Sequence, residues 1–359
     1  STQSRSSAAS DVYKRQAKGK MTARDRIDYF LDPGTFNEVE MFSLGREDEL
    51  GVSKERYLGD GVVTGFGKVN GRVVYIYAQD FTVMGGALGE VQGRKISHLM
   101  DLAVESGCPI VGLIDSGGAR IQEGIYSLGG YAEIFKRNAK YSGIIPQISI
   151  ILGPCAGGAS YSPALTDMII MVENQSYMFL TGPEVVKSVT GEVIDMEGLG
   201  GAAVHFSRSG LAHLMAKSDK DAIDLCKLVL GYLPSNNMEN PPHTPSGDDP
   251  QRMDEELNSH VPLDPSAPYS MKDAILRIVD RDSFVELQST FAPNAIIGFA
   301  RMDGYPVGIV SQEPAMMAGV IDIDAADKMT RFVRLCDCFN LPIVTFVDSP
   351  GFLPGVDQE

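Results

Sequence analysis

The sequence predicts an α/β fold built from two copies of one layered domain. Three observations support this prediction: strands alternate with helices, one half of the chain repeats the other, and a proline-rich segment lies between the halves. The alternation is clearest where β-rich runs at residues 73–78 and 110–114 flank a helical stretch at residues 90–106. Further β-rich runs follow at residues 147–152 and 168–172. Such alternation is typical of layered α/β domains.

An internal repeat relates the two halves of the chain. Residues 65–71 (GFGKVNG) align with residues 298–304 (GFARMDG) at a shift of 233, which holds without a gap for about fifty positions. A second match, residues 24–36 against 272–284, has a shift of 248 and indicates a longer loop in the first copy. Identities in one fixed register indicate duplication rather than chance similarity. The paired positions include Gln79 with Gln312, Gly86 with Gly319, and Lys95 with Lys328.

A proline-rich segment separates the two copies. Residues 234–270 contain eight prolines among Asn, Ser, Asp and Glu, a composition typical of linkers. We therefore expect a first domain over residues 17–233 and a second domain over residues 271–359. At the shift of 233, the counterpart of the glycine pair at 157–158 falls beyond residue 359, so we expect the second domain to be incomplete.

The first sixteen residues do not resemble natural protein sequence. The stretch SDVYKRQ, residues 10–16, looks like a translated sequencing adapter that was fused to a gene fragment. We therefore expect residues 1–16 to be an artefact without a function of their own.

Composition argues against several classes of function. The formal net charge of −16 argues against nucleic acid or an anionic membrane as the main partner, because phosphate binding needs clustered Lys and Arg. The sequence contains no apolar run of about 18 residues and no secretory leader, so we expect a cytoplasmic protein without membrane contact. Five cysteines do not indicate a disulfide framework, and Cys336 and Cys338 lack nearby zinc ligands. The five histidines show no metal-ligand spacing, so we expect no metal.

Two adjacent glycines follow an apolar run at the end of a predicted strand. Gly157 and Gly158 lie in GPCAGGASYSPA, residues 153–164, directly after residues 147–152. Glycines there let the backbone approach a ligand, and the first amides of a following helix have no partner within the helix. Such donors stabilise an oxyanion. The alternative is a tight turn whose glycines only allow helix and strand to pack closely.

Two more glycine-rich turns follow predicted strands. FTVMGGALG, residues 81–89, matches neither the dinucleotide pattern nor the phosphate-loop pattern, but it can supply a facing wall or a further backbone donor. DSGGARIQEG, residues 115–124, follows a strand where α/β proteins usually bind ligands. Its Arg120 can hold a phosphate or pair with Asp115. Its Glu123 can be a general acid or base, or a solvated or helix-start carboxylate.

Six motifs occur in order along the chain: GGALGE (85–90), DSGGARIQEG (115–124), GPCAGGA (153–159), FLTGP (179–183), YLPSNN (232–237) and FVDSPGFLPG (346–355). Together they resemble the carboxyltransferase (β) subunit of biotin-dependent acyl-CoA carboxylases, most closely the propionyl-CoA carboxylase and methylmalonyl-CoA carboxyltransferase type. The resemblance covers residues 18–359 and implies two tandem domains of the ClpP/crotonase ββα-spiral fold, the second one truncated. The acetyl-CoA-specific bacterial relatives carry an N-terminal zinc ribbon, and the absence of a C-x-x-C pair here favours the propionyl-CoA type.

The resemblance implies transfer of a carboxyl group from carboxybiotin, which a partner protein carries, to the α-carbon of a short-chain acyl-CoA. Conversion of propionyl-CoA to methylmalonyl-CoA is the favoured case. Removal of the α-proton creates an enolate on the thioester oxygen, so backbone donors matter more than a side-chain acid. In the family's usual mechanism the biotin ureido nitrogen takes the proton, which agrees with the lack of an evident side-chain base.

The resemblance also implies the residues of the site. Gly157 and Gly158 match the family's first oxyanion hole, which binds the acyl-CoA thioester. The second hole, for the biotin ureido oxygen, belongs to the second domain and falls beyond residue 359, so we expect the 359-residue chain to be inactive alone. We expect acyl-CoA to contact Met84, Gly85, Gly86, Gly117, Gly118, Ala119, Arg120 and Ala156. Phe291, Asn294, Met317 and Gly319 are expected on the biotin or acyl-CoA side of a subunit interface, with simple packing as the alternative for each.

The implied partners are a biotin carboxylase and biotin carboxyl carrier subunit, together with further copies of this chain in dimers and a hexamer. Two other functions stay open. The first is the carboxyltransferase subunit of a sodium-pump-type methylmalonyl-CoA decarboxylase, which uses similar motifs in reverse. The second is a non-catalytic subunit that binds CoA or supports assembly.

Overall fold

The computed structural model describes residues 20–47, 56–264 and 267–358. Residues 1–16, predicted above to derive from an adapter, lie outside the described residues. The chain divides into two compact units. Unit 1 consists of Ser1–His205 and Leu214–Leu228, and unit 2 consists of Phe206–His213 and Val229–Glu359. The expected domain boundaries at 17–233, 234–270 and 271–359 stay a prediction.

A mixed sheet forms the centre of unit 1. Within the described part of the unit its strands are β1 (Asn37–Val39), β2 (Val62–Val69), β3 (Arg72–Gln79), β4 (Ile110–Ser116), β5 (Gln147–Ala156), β6 (Met168–Val172), β7 (Tyr177–Phe179) and β8 (Leu214–Ala216). The strand order is β1-β2-β3-β4-β5-β6-β8, and β7 pairs with β5. The first three strands are antiparallel and the others are parallel. Every residue of β4 and β6 is buried, as expected for parallel strands covered on both faces.

Helices connect the parallel strands. Those that begin in unit 1 are α1 (Ala23–Phe30), α2 (Glu90–Glu105), α3 (Ile125–Lys140), α4 (Gly158–Ala164), α5 (Pro183–Thr190), α6 (Met196–Gly200), α7 (Ala202–Ser207) and α8 (Asp219–Leu230). A capping box between Thr22 and Asp25 starts α1. In α2 the buried residues Ile96, Leu99 and Ala103 recur at helical spacing, so one face of the helix packs into the core.

Strand β5 extends further than the sequence predicts. The apolar run ends at residue 152, but the strand continues to Ala156. Its register against β4 is irregular: Ile114 pairs with Ile151, whereas Ser116 pairs with Cys155. Extra residues in β5 therefore bulge between these two pairs. Pro154 lies in this bulge, one of the few places in a sheet that tolerate a residue without an N–H group. Because the bulge interrupts the apolar run, the sequence pattern does not show where the strand ends.

Unit 2 contains the same architecture as the first half of unit 1. Its elements are α9 (Met271–Ile278), β9 (Val285–Leu287), β10 (Ala295–Met302), β11 (Tyr305–Gln312), α10 (Ile323–Cys338) and β12 (Ile343–Phe346). The sheet order is β12-β11-β10-β9, with β12 parallel to β11 and the other pairs antiparallel. Strands β10 and β11 and helix α10 lie at the sequence shift of 233 from β2, β3 and α2.

The repeat extends to backbone conformation. The turn between β2 and β3 has positive φ at Asn70 and Gly71, 49° and 80°, and the turn between β10 and β11 has 50° and 75° at Asp303 and Gly304. Two consecutive positive φ values are typical of the type I′ turn that suits a tight β-hairpin, and they explain the Asn-Gly and Asp-Gly pairs.

A buried lysine occupies the same place in each unit. The Lys95 ammonium donates to the carbonyl oxygens of Gly59 and Val62 at 3.0 and 2.7 Å. The Lys328 ammonium donates to several carbonyl oxygens, including that of Ala295 at 2.7 Å. Burial lowers the pKa of both lysines to about 8. Each lysine therefore ties its helix to the loop that leads into the first long strand of the hairpin.

The proline-rich segment, residues 234–270, is hydrogen-bonded to the rest of unit 2 despite its linker-like composition. The Thr244 amide donates to the carbonyl oxygen of Gly304 at 3.0 Å. The Arg252 guanidinium donates to the carbonyl oxygens of Arg277 and Val279 at 2.6 and 3.1 Å, and so caps the last turn of α9. These contacts hold the segment in a defined path.

Candidate functional site

Three glycine-rich loops of unit 1 meet at the carboxyl ends of β3, β4 and β5. The turn Met84–Gly86 touches the loop after β4, because the Gly117 amide donates to the carbonyl oxygen of Gly85 at 2.9 Å. The loop after β4 in turn touches the end of β5: a Cβ atom on Gly118 would lie 2.9 Å from the carbonyl oxygen of Ala156. The three glycine-rich stretches at residues 81–89, 115–124 and 153–164 therefore build one surface.

Gly157 and Gly158 lie at the junction of β5 and α4. Gly157 has φ 56° and ψ −127°, a conformation that only glycine adopts readily. Its N–H group donates to the carbonyl oxygen of Phe179 on β7 at 3.0 Å. The expectation that both glycine amides face a ligand is therefore corrected: Gly157 supplies the turn, and its amide is already bonded. Gly158 is the first residue of α4, where the amide has no acceptor within the helix.

The surface around these loops is accessible. Gly117 is exposed, and Ala119, Ala156, Gly157 and Gly158 are half-buried. Met84 and Gly85 are also half-buried, whereas Gly86 and Gly118 are buried beneath them. Backbone groups rather than long side chains line this surface, which fits a ligand that must come close to an amide.

Arg120 does not take either role predicted for it. Its guanidinium donates to Asp60 Oδ1 at 2.6 Å and to Glu123 Oε1 at 2.8 Å, and the side chain is only 4% exposed. It is thus neither paired with Asp115 nor available for a phosphate. The acyl-CoA contact expected at Arg120 stays a prediction, and in this structure the guanidinium is bonded to the buried Asp60 and the half-buried Glu123.

Glu123 acts at the start of a helix, one of the roles left open above. Its Oε2 accepts the amide of Glu90, the first residue of α2, at 2.7 Å. Helix α2 begins after Gly89, which has no side chain to satisfy the orphan amides. Glu123 therefore caps α2 from a distant loop and holds Arg120 with its other oxygen.

Asp115 is held by a residue outside all motifs. Its Oδ2 accepts from the Arg26 guanidinium on α1 at 3.0 Å, and Arg26 also donates to Asp219 Oδ2 at 2.8 Å. Arg26 and Asp60 were both missed by motif reasoning. One signal in the sequence distinguishes Arg26: the repeat places Ala274 at the same position of the second copy, so the arginine belongs to the first copy alone.

The equivalent turn of unit 2 keeps its shape with different residues. Met317, Ala318 and Gly319 have φ of 52°, 55° and 71°, against 51°, 65° and 66° for Met84 to Gly86. The Met317 side chain is exposed and can reach a ligand, whereas Gly319 is buried.

Phe291 and Asn294 have internal contacts in unit 2. Phe291 packs in a buried cluster with Ala292, Ala295 and Ala325. The Asn294 amide group donates to the carbonyl oxygen of Val320 at 2.8 Å, and the side chain is 2% exposed. These contacts favour packing, the alternative stated above, over contact with biotin or acyl-CoA.

Side chains near the loops supply no strong base or nucleophile within the described part of unit 1. The Ser160 hydroxyl donates to the carbonyl oxygen of Gly157 at 2.7 Å, and the Ser116 hydroxyl to that of Gly86 at 2.7 Å. Cys155 is fully buried, and burial raises the pKa of its thiol. The backbone is therefore the chemically distinctive part of this surface.

Within residues 20–47, 56–264 and 267–358, no group of three or more His, Cys, Asp or Glu residues could hold a metal ion. Among the helices of the same residues, none is both long enough and apolar enough to span a membrane.

Comparison with known families decides the assignment. Residues 14–359 match the family described as carboxyl transferase domain. The chain belongs to the carboxyl transferase family. The propionyl-CoA carboxylase carboxyltransferase subunit of Haloferax mediterranei is 54% identical over 342 residues, which cover 95% of this chain and 66% of that protein. Methylmalonyl-CoA decarboxylase subunit alpha of Veillonella parvula is also 54% identical, over 97% of this chain and 68% of its own length.

Solved structures of carboxyl transferase family members share the fold. A structure of transcarboxylase 12S, described as a hexamer assembly with methylmalonyl-coenzyme A and methylmalonic acid bound, has a TM-score of 0.94 and 48% identity. The match covers 97% of this chain and 68% of that chain. The α/β, crotonase-like fold predicted from the motifs is thereby confirmed. This chain spans about two thirds of the length of the relatives that it matches.

Proposed function

We propose that the protein containing this chain transfers a carboxyl group from carboxybiotin to the α-carbon of a short-chain acyl-CoA, with propionyl-CoA as the favoured acceptor. The observation that carries the proposal is the meeting of three glycine-rich loops at one edge of the unit 1 sheet, where Gly158 begins α4. Membership of the carboxyl transferase family and the names of its relatives support the same chemistry.

The residues of unit 1 would act by holding charge. Loss of the α-proton from an acyl-CoA moves negative charge onto the thioester oxygen, and the Gly158 amide is a fixed donor for it. A fixed donor needs no reorganisation during the reaction, so it stabilises the charged state more than the neutral thioester. Gly117 is exposed on the loop after β4, and Gly118 meets the carbonyl oxygen of Ala156, two residues before this amide.

The surface fits a substrate pair in which the proton acceptor arrives with the second substrate. The hydroxyls of Ser116 and Ser160 are bonded to backbone carbonyls, and Cys155 is buried. Carboxybiotin, when bound, supplies both the carboxyl group and the proton acceptor. The chain's own part is to bind the acyl-CoA, orient its α-carbon and hold the oxygen.

Partners and location follow from the same proposal. A biotin carboxylase and a biotin carboxyl carrier subunit would deliver carboxybiotin, and further copies of this chain would assemble into dimers and a hexamer. The protein would act in the cytoplasm. Met317 of unit 2 is a candidate contact for either substrate, because its side chain is exposed on a turn of the same shape as Met84–Gly86.

A second candidate function has equal support from identity. The decarboxylase subunit of Veillonella parvula is as similar to this chain as the carboxylase subunit of Haloferax mediterranei. The same oxyanion contact would serve removal of a carboxyl group from methylmalonyl-CoA, because that reaction passes through the same enolate. The third reading, a CoA-binding subunit without activity, would use the loops for binding alone.

The test is to purify the complete protein together with a biotin carboxylase and a biotinylated carrier. Fixation of labelled bicarbonate that depends on ATP and propionyl-CoA is the expected result. Release of carboxyl from methylmalonyl-CoA to the carrier, with no ATP-dependent fixation, would support the decarboxylase. Binding of CoA with neither reaction would overturn the enzymatic proposal in favour of the binding subunit.

A further inference from the structure

Arg26 joins three elements of unit 1 beneath the glycine loops. Its Nε donates to Asp219 Oδ2 at 2.8 Å, one Nη donates to Asp115 Oδ2 at 3.0 Å, and the other donates to the carbonyl oxygen of Leu152 at 3.3 Å. The side chain is 1% exposed, Asp115 is 0% exposed and Asp219 is 2% exposed. A guanidinium can make these three bonds at once because its donors point in fixed, separate directions.

At the β5 bulge, Arg26 contacts both of the paired strands, β4 and β5. Leu152 lies in the bulge, between the pairs Ile114–Ile151 and Ser116–Cys155, and Asp115 lies opposite on β4. Gly153 completes the fit, since a Cβ atom there would lie 2.1 Å from Asp115 Oδ1. Bulges bend a strand and redirect the residues that follow it. The residues that follow the two strands here include Gly117, in the loop after β4, and Gly158, which begins α4 after β5.

Unit 2 shows that the helix and sheet do not by themselves need this arginine. Helix α9 corresponds to α1, and it carries Ala274 where α1 carries Arg26. The backbone amide of the loop aspartate is held alike in both units: Asp115 donates to Gln79 Oε1 at 3.2 Å, and Asp348 to Gln312 Oε1 at 3.3 Å. The aspartate side chains differ, because the Tyr269 hydroxyl donates to Asp348 where Arg26 donates to Asp115.

We propose that Arg26 is a positioning residue: through Asp115 and the Leu152 carbonyl it fixes the β5 bulge and so sets the Gly158 amide relative to the Gly117–Gly118 loop. This inference rests on the proposed function of that amide as an oxyanion donor. Arg26 touches no reacting atom. Its effect is on the geometry of the donor, and misplacement by about 1 Å costs on the order of 100-fold in rate.

The test replaces Arg26 with lysine in the complete protein, assembled with its biotin-carrying partners. Lysine keeps the charge, but its single nitrogen cannot occupy the three positions from which Nε and the two Nη atoms reach Asp219, Asp115 and Leu152. We expect kcat to fall by roughly 10- to 100-fold, while KM for propionyl-CoA stays within about twofold. Arg137→Lys is the matched control, because Arg137 makes a two-pronged ion pair with Asp101 on the outer faces of α2 and α3. Its kcat is expected to stay unchanged.

A binding measurement separates this inference from the proposed function. The probe is a CoA thioether that ends in a nitroalkane, whose ionised nitronate carries charge near the enolate oxygen. The wild-type protein should bind it more tightly than propionyl-CoA, as expected of an analogue of the charged state. Arg26→Lys should weaken binding of the nitronate by roughly tenfold and leave binding of free CoA within about twofold.

Each outcome decides a different point. A wild-type protein with no preference for the nitronate refutes the oxyanion role of Gly158, on which the inference depends. A wild type with that preference, together with an Arg26→Lys variant of normal kcat and normal nitronate affinity, overturns the positioning role. If Arg26→Lys fails to fold, Asp115→Asn replaces it, because the amide is isosteric and leaves the Arg26–Asp219 pair in place. The same loss of kcat and nitronate affinity is expected, and its absence overturns the inference.

Discussion

The carbonyl oxygen of Ala156 lies 2.9 Å from the place that a Cβ atom on Gly118 would occupy. Ala156 ends β5 and Gly118 lies two residues after the end of the neighbouring parallel strand β4, so their close approach brings the loop after β4 against the end of β5. Any side chain at position 118 must push these loops apart. This contact is therefore a direct measure of how tightly the candidate site is assembled.

Gly118→Ala is expected to lower both stability and activity. Gly118 has φ 107°, a region that side chains rarely adopt, and the new methyl group would meet a backbone atom that cannot move alone. We expect a loss of about 1–3 kcal/mol in the free energy of unfolding, measured by urea denaturation. Gly85→Ala is the matched stability control, because no atom lies within 4 Å of its Cβ position and Ala318 adopts the equivalent conformation in unit 2. Equal losses in the two variants would contradict the packing argument.

Gly158→Ala is expected to lower kcat with little change in KM. A Cβ atom on Gly158 would lie 2.9 Å from the Tyr131 ring, so the first turn of α4 must shift and carry the amide with it. Steady-state kinetics of propionyl-CoA carboxylation by the complete enzyme measures the effect. The double variant Gly158→Ala, Tyr131→Ala should recover part of kcat, since it removes the ring atoms that the new methyl group would meet. No recovery would argue that the methyl group itself blocks the substrate.

Arg120→Lys is expected to affect stability rather than CoA binding. Arg120 bridges the buried Asp60 and the half-buried Glu123 through one Nη and reaches the Asp60 carbonyl oxygen with the other. Lysine keeps the charge, but its side chain is one bond shorter and carries a single nitrogen. We expect a loss of about 1–3 kcal/mol in the free energy of unfolding. Calorimetric titration should give the same ratio of affinities for CoA and dephospho-CoA as the wild type. A reduced ratio in the variant would show that the Arg120 guanidinium contacts a phosphate of CoA, which its two ion pairs argue against.

The Asp167 carboxyl, which lies outside the candidate site, is expected to make the stability of the protein depend on pH. Burial raises the pKa of its carboxyl to about 7 in the folded protein, against about 3.9 in the unfolded chain. Between these values the folded state binds more protons than the unfolded state, so the free energy of unfolding falls as pH rises from about 4 to about 7. Asp167→Asn cannot ionise and keeps an acceptor for the Gln147 amide.

The Asp167→Asn variant should therefore be the more stable protein above pH 7, by on the order of 1–4 kcal/mol, with the advantage vanishing near pH 4. Thermal or urea unfolding across this pH range is the measurement. Asp28→Asn, an exposed position on α1, is the control and should follow the wild-type profile. Parallel profiles for Asp167→Asn and the wild type would show that the carboxyl titrates normally.

Local sequence patterns predicted the parts of the site that depend on neighbouring residues. Strand-then-glycine patterns placed the turns at Gly86, Gly118 and Gly158, because strand ends and turn residues are set within a few positions of the chain. The register of the repeat aligned residues 65–71 with 298–304 and Lys95 with Lys328, and the structure gives both copies the same hairpin and a buried lysine.

The same local patterns did not predict which charged residues form ion pairs across long sequence separations. Arg120 meets Asp60, sixty positions away, and Arg26 meets Asp115 and Asp219 at separations of 89 and 193. No local spacing distinguishes a charged side chain that will be buried from one that will stay in solvent, so Arg120 was assigned to a ligand. The bonded amide of Gly157 was missed for the same reason, because its acceptor, Phe179, lies on another strand.

The buried lysines have a consequence for chemical damage. At a pKa of about 8, Lys95 and Lys328 are partly neutral under mildly alkaline conditions, and a neutral amine attacks thioesters such as the proposed substrates. Both are at most 2% exposed, with each amine surrounded by carbonyl oxygens. Prolonged incubation with propionyl-CoA, followed by peptide mass spectrometry, should find propionylation at exposed lysines such as Lys136 and none at these two. Burial thus shields both lysines from acylation by the proposed substrate.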